Sequence, residues 1–438
     1  MKLFPLRSCA LALALVAFFA APPAHAQEPY EGPAVVTPAD VLPAGLAKGP
    51  HYTLADEVKT EGYFHGFLIR SDFGDFTAEG DSMLYARLKE VQALAALEEV
   101  SKSDVFLKAA GTSVLNVGKS VRKAVADPEA TVKGLGAGVQ RFGENLGRKT
   151  KQVAGSAKDA VQGDTGGASD AGGKSAADKA VDAGASAAKG YLGVTGASRR
   201  WAQKLGVDPY TSNAVLREAL EEIGKIDAAG SIAAKAVVPV PTVVGTAAKV
   251  SDLVWEKDPE ELAKLNEQRL AELGVEKHIA AAFMKSTAFS PSKQTRFVAA
   301  LHAVRAAGLA DYVDAAREAT TEVEGEFFTE SAEMLAALHA RDRVAAVLTD
   351  SRAMVASAGG TRAVALLPLD SIRWTEASQR TLTEIAGRAR AELAAERLEI
   401  ELTGRMSPRA QKQAEGIGWK VSQGVPGPVA PPEPAAGR

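Results

Sequence analysis

The sequence predicts a mainly α protein with a minor α/β part: an N-terminal β-hairpin, a helical body and a small C-terminal sheet-and-helix element. Three observations carry this. Aromatic and β-branched residues crowd Tyr52 to Asp81 around a polar turn at Ser71-Asp-Phe-Gly-Asp75, the composition of two paired strands. From Leu84 the apolar residues fall at spacings of three and four (Leu84, Leu88, Val91, Leu94, Leu97), which puts them on one helix face. Towards the C-terminus, short apolar runs, a Gly359-Gly360 turn and the alternation Leu398-Glu-Ile-Glu-Leu402 bring strands back.

In chain order, residues 1–26 read as a signal peptide. Lys2 and Arg7 precede an apolar run from Cys9 to Ala21, and Ala24-His25-Ala26 supplies small residues at the cleavage site. The run is shorter than the roughly 20 residues of a membrane span. Export, to a periplasm or outside the cell, is the expected location. Residues 27–50 carry Pro29, Pro33, Pro38, Pro43 and Pro50 and read as an extended lead-in. Residues 51–125 hold the hairpin and following helices.

Asp127-Pro128-Glu129 starts an amphipathic, glycine-spaced helix over 126–162, because Asp caps, Pro suits the first turn and Glu meets the positive helix end. Residues 163–200 are dominated by Gly, Ala, Ser, Asp and Lys and read as a flexible linker, with too little apolar surface to offset ordering. Residues 201–340 form a helical region, with starts at Asp258-Pro259 and Ser290-Pro291 and a stop at Gly274. Residues 341–423 form an α/β element, with Thr375 and Ser407-Pro408 opening its helices. Residues 424–438 are Pro/Gly-rich and expected to be disordered.

Composition narrows the function classes. The chain carries 51 Lys and Arg against 54 Asp and Glu; without Lys2 and Arg7 the balance is about −5, too mild for a dedicated nucleic-acid binder. The only cysteine, Cys9, lies in the expected signal peptide, so the mature chain offers no disulfide, thiolate ligand or cysteine nucleophile. Ala228 to Val250 is apolar but broken by Lys235, Pro239, Pro241, Gly245 and Lys249. It reads as a buried helix pair, leaving no transmembrane helix in the mature chain.

The candidate contact residues are Lys119, Arg122, Lys123, Lys133, Arg141, Arg148 and Lys149. Cations on the polar face of an amphipathic helix suit anionic headgroups or a protein partner. Chemistry-bearing motifs are missing. The sequence has no Gly-x-Ser-x-Gly elbow, no His-Glu-x-x-His and no phosphate loop. Among His51, His65, His278, His302 and His339, no two stand three or four apart, so no helix displays a metal pair and neither metal nor cofactor is expected. His65 lies near Asp72, Asp75 and Asp81, and Asp350 and Asp370 end predicted strands. A histidine with carboxylates can do acid–base work.

These readings favour a non-catalytic envelope protein of structural or scaffolding type, contacting a partner or membrane surface through its helices. The alternative is an envelope hydrolase whose site assembles from distant residues such as His65 and Asp370. Two further expectations are structural. The N-terminal hairpin and the C-terminal strands join in one sheet, and the enzyme reading requires a histidine converging with carboxylates in a cleft.

Overall fold

Local turn and capping chemistry sets most element boundaries. The computed structural model describes residues 30–60, 62–102, 194–230, 252–350, 352–429 and 431–432. The signal peptide, the basic helix with its seven contact candidates, the linker up to residue 193 and the apolar pair around Pro239 lie outside the described residues.

A short helix α1 (Pro38–Val41) interrupts the proline-rich lead-in and leads to strands β1 (Lys48–Gly49) and β2 (Tyr52–Leu54). Strands β3 (Gly66–Ser71) and β4 (Gly74–Glu79) form the expected hairpin, in register from Gly66–Glu79 to Ser71–Gly74. The four strands make one antiparallel sheet in sequence order. Helix α2 (Asp81–Ser101) follows at once. Its apolar stripe packs, with Phe67 and Ile69 of the hairpin, against α3 (Gly196–Leu205) and α4 (Ala214–Gly230) through Trp201, Leu205, Leu216, Leu220 and Ile223.

Next come α5 (Asp252–Glu256), α6 (Pro259–Glu272), α7 (Lys277–Met284), α8 (Pro291–Val304), α9 (Leu309–Ala316) and α10 (Glu322–Arg341). Asp258, Ser290 and Thr321 cap α6, α8 and α10, each accepting a main-chain N–H three residues on. Aromatic rings of Phe283, Phe289, Phe297, Tyr312, Phe327 and Phe328 stack through the middle of this region, with neighbouring centroids 4.9–5.9 Å apart. Among the described residues no helix is long and apolar enough to cross a membrane.

The C-terminal unit is a five-stranded mixed sheet ordered β11-β9-β7-β6-β5. Strands β5 (Val344–Asp350), β6 (Ala353–Ala358) and β7 (Arg362–Leu367) run antiparallel, turning at Gly359-Gly360 between β6 and β7. Then follow a two-residue β8 (Ser371–Ile372), α11 (Glu376–Glu392), β9 (Arg397–Leu402), β10 (Arg405–Met406), α12 (Pro408–Ile417) and β11 (Trp419–Gln423), with β8 and β10 paired parallel in a separate two-stranded sheet. The helical crossovers make β7, β9 and β11 parallel. Thr375 caps α11, and Gly418 ends α12 at φ 108°.

Helix takes 51% of the described residues and strand 19%. The N-terminal hairpin and C-terminal sheet-and-helix element are as expected. The minor share given to α/β structure is too small, because the C-terminal sheet shares one core with α8 and α10. The single-sheet expectation is also corrected, since the N-terminal and C-terminal strands belong to separate sheets. Loops join them instead: Tyr63 O accepts the N–H groups of Asp370 (3.0 Å) and Ser371 (3.1 Å). A ladder needs consecutive facing donors and acceptors, whereas this contact uses one carbonyl.

Two glycines on helices test the packing with opposite signs. A Cβ at Gly325 of α10 would run into the carbonyl oxygen of Ala288, while one at Gly387 of α11 meets nothing within 4 Å. Gly325→Ala is expected to destabilise by about 1–3 kcal/mol, as overpacking does. Gly387→Ala is expected to stabilise by up to ~1 kcal/mol through helix propensity. Thermal melts of the two variants read both signs.

Candidate active site

The loop contact at Tyr63 brings together residues that are far apart in the chain. Asp370 sits in the turn between β7 and β8, held from behind by the loop after β9: Gly404 N–H donates to Leu369 O and Arg405 N–H to Asp370 O. A side chain at Gly404 would collide with the Asp370 carbonyl. So fixed, the Asp370 carboxylate accepts the main-chain N–H of His65 at 2.8 Å and that of Asp81 at 3.2 Å. Asp81 is the first residue of α2, following Gly80 at φ 97°. Its N–H is one of the donors a helix start leaves unpaired, so Asp370 caps α2 from a distant part of the chain.

Side chains complete the cluster. His65 Nδ1 lies 2.9 Å from Asp81 Oδ1 and 3.9 Å from Asp370 Oδ2, and its ring stands edge-on to Phe67 with centroids 6.0 Å apart. Side-chain exposure grades from 7% at His65 through 10% at Asp370 to 23% at Asp81. Asp81 and Asp370 face a cleft of about 410 Å³ that Glu79, Glu326 and Glu330 also line. One wall is the C-terminal segment through Val425, Pro426 and Val429. Expected to be disordered, this segment has no regular structure, yet Gly424 N–H and Val425 N–H bond to Gly404 O and Leu402 O.

Burial and crowding set the protonation. Burial, then the neighbouring Asp81 charge, pushes Asp370 up to about 7 against the opposing pull of His65 and the two N–H donors. Glu79 is pushed up to about 7 by burial and by Glu322 and Glu324. Glu330 rises through burial and Glu326. For His65, burial acts downwards, but the Asp81 hydrogen bond and the charges of Asp370 and Asp81 outweigh it and raise it.

The ligand-capable atoms of His65, Asp81 and Asp370 lie within 4.8 Å of one another, close enough to hold a metal ion. There His65 Nδ1 is turned to Asp81, and both Asp370 oxygens accept main-chain N–H groups, while the two carboxylates keep acceptor capacity beyond these bonds.

Next to the cleft, a buried ion network ties α2, α8 and α10. Lys293 bridges Glu322 (2.9 Å) and Glu326 (3.1 Å), Arg296 bridges Glu326 (3.1 Å) and Glu333 (2.7 Å), and Arg87 bridges Glu90 (2.8 Å) and Glu322 (3.4 Å). Although burial acts upwards on it, Glu322 is held down to about 2 by Lys293 and Arg87.

Of the residues singled out by sequence, the structure unites His65, Asp81 and Asp370 and separates the rest. Asp72 pairs with exposed His51 at 2.8 Å. His278 stands by Glu276 and His302 by Glu272, and His339 Nδ1 accepts the Val344 N–H. The Asp350 side chain lies outside the described residues. Sequence reasoning missed Glu79 and Glu330. Glu79, at the end of the predicted hairpin, was within its reach; Glu330 carried no local signal.

These shifts predict how stability follows pH. Asp370 and Glu79 hold protons in the fold that the unfolded chain releases near pH 4, so their contribution declines as pH rises through about 7. His65, also raised, contributes fully below about 6.5 and is lost above its folded value. Glu322 acts oppositely and its contribution is lost as pH falls from about 4.5 towards 2. Melting temperature is therefore expected to peak at about pH 4 to 4.5 and to fall from there to about pH 7. Asp370→Asn and Glu79→Gln should each flatten the alkaline limb, and calorimetry across that range checks it.

The chain matches no family model, no curated protein and no solved structure.

Proposed function

We propose that this protein is an exported hydrolase in which Asp81 and Asp370 act as a base–acid pair and His65 positions Asp81. The observation that carries the reading is the convergence of His65 with two carboxylates beside a cleft, the condition the enzyme alternative required. Export is supported by the pattern of residues 1–26 alone. The scaffolding reading follows from the run of helix stripes beside an empty motif search, and its contact candidates lie outside the described residues.

The chemistry divides by environment. Two neighbouring carboxylates with different surroundings take opposite roles. Asp81, the more exposed and hydrogen-bonded to His65, accepts a proton from the attacking water. Asp370, buried and raised to about 7, carries a proton near neutrality and gives it to the leaving group. Water adds its oxygen to the electrophilic centre, the scissile bond's electrons go to the leaving group, and the pair exchanges its proton with solvent to reset. His65 is a positioning residue: it is absent from the cleft lining, and its Nδ1 fixes the Asp81 carboxylate from behind.

Turnover of a panel of chromogenic esters, amides and glycosides by the purified chain tests this. Asp81→Asn and Asp370→Asn are each expected to lower kcat by about 10²–10⁴-fold, the usual worth of an acid or base. With Asp370 as the acid, kcat is expected to fall about tenfold per pH unit above pH 7, and Asp370→Asn should abolish that limb. Chelation should leave turnover unchanged. Activity that requires a divalent ion would make the three residues a ligand set instead. Absence of turnover across the panel, or an Asp370→Asn variant with wild-type rate and profile, would return the chain to a non-catalytic role.

A further inference from the structure

We propose that the inner part of this cleft is a subsite for an organic cation, an ammonium or guanidinium group on an apolar stem, with Glu330 as its counter-ion. Calling that cation part of the substrate rests on the catalytic reading above; its binding does not.

The first observation is an unmatched acceptor. Glu330 lines the cleft, is 5% exposed, and its Oε1 has no hydrogen-bond partner. Leaving a buried acceptor unpaired costs about 1–3 kcal/mol, more for a charged one. The protein's own cations do not meet this need. Arg296 is turned to Glu326 and Glu333, and Lys293 to Glu322 and Glu326.

The second observation is the sign of the wall. Glu79, Asp81, Glu326, Glu330 and Asp370 all line the cleft, and among the described lining residues there is no Lys, Arg or His. A concavity lined by one sign of charge concentrates the opposite sign.

The third is shape. Phe64, Tyr85 and Phe327 share the lining with Val323 and Pro368, a surface suited to methylenes and to a cation over an aromatic face. A bare divalent ion fits this end less well, since it needs several oxygens converging on one point. The metal-compatible grouping among the described residues is His65, Asp81 and Asp370, which leaves out Glu330. An organic cation needs only one close carboxylate and a wall for its stem. Burial and Glu326 both act upwards on Glu330, and a bound cation opposes them.

Calorimetric titration of the purified full chain with n-pentylamine, with 1-pentanol as neutral isostere and calcium chloride as inorganic cation, tests the proposal without turnover. Saturable binding of pentylamine about tenfold or more tighter than pentanol is expected, the scale of one charge-assisted hydrogen bond. Glu330→Gln should lose that preference, while Glu267→Gln, on the outer face of α6, should keep it. The wild-type comparison stands alone should Glu330→Gln fail to fold. Equal affinity for amine and alcohol, binding of neither, or a preference that survives Glu330→Gln would overturn the proposal. So would calcium displacing pentylamine. In Asp370→Asn the amine should still bind, so a catalytic failure and a binding failure are told apart.

Discussion

One buried carboxylate ties the N-terminal sheet and α2 to the C-terminal unit. Asp370 accepts main-chain N–H groups from the residue before β3 and from the first residue of α2, while its own N–H and that of Ser371 bond to Tyr63 O. A carboxylate this deep is costly unless donors meet it, and donors at a helix start are costly unless an acceptor meets them. Each side resolves the other's deficit. The cleft lies beside this contact, with Asp81 and Asp370 both in its lining. Asp370 is thus structural and chemical at once, and its raised proton affinity follows from the burial that makes it a good strut.

The ion network beside it explains why the cleft is one-sided in charge. Buried pairs such as Lys293–Glu326 and Arg296–Glu333 repay their desolvation only with good geometry, so they add little net stability but fix which groups face which. They engage Lys293, Arg296 and Arg87 with Glu322, Glu326, Glu333 and Glu90. On the cleft side burial and like-charge repulsion outweigh the pull of His65 and Arg296, and raise Asp370, Glu79 and Glu330 together. Arg352 plays the same part for Glu324. Charge is balanced within the network and unbalanced at its edge.

Much of the fold was legible because the signals are local. Asp258-Pro259, Ser290-Pro291, Thr375, Gly359-Gly360 and Gly418 act within a few residues, through caps and positive φ, and each marks a boundary in the structure. The sheet partition was not legible. Strand composition says that a segment pairs, not with which partner, and the choice here turns on the single carbonyl of Tyr63. The site was half legible. His65 and Asp370 could be named as a distant pair, 305 residues apart, because histidine and strand-end aspartate are chemically conspicuous. Glu330 could not, because a glutamate on an amphipathic helix reads as a solvated face. Only tertiary packing around α10 buries it.

Which of the two carboxylates keeps the proton is itself a contest of magnitudes. Asp370 accepts two main-chain N–H groups, one of them at the start of α2, where the dipole also favours negative charge. These hydrogen bonds act to lower it. Burial reverses this. Asp370 has 10% of its side chain exposed against 23% for Asp81, and desolvation is the largest influence on it, ahead of the Asp81 charge. The His65 ring lies 2.9 Å from Asp81 and 3.9 Å from Asp370, and its downward pull on Asp370 does not offset burial. In the proposed mechanism it is this depth that gives Asp370 the part of the acid.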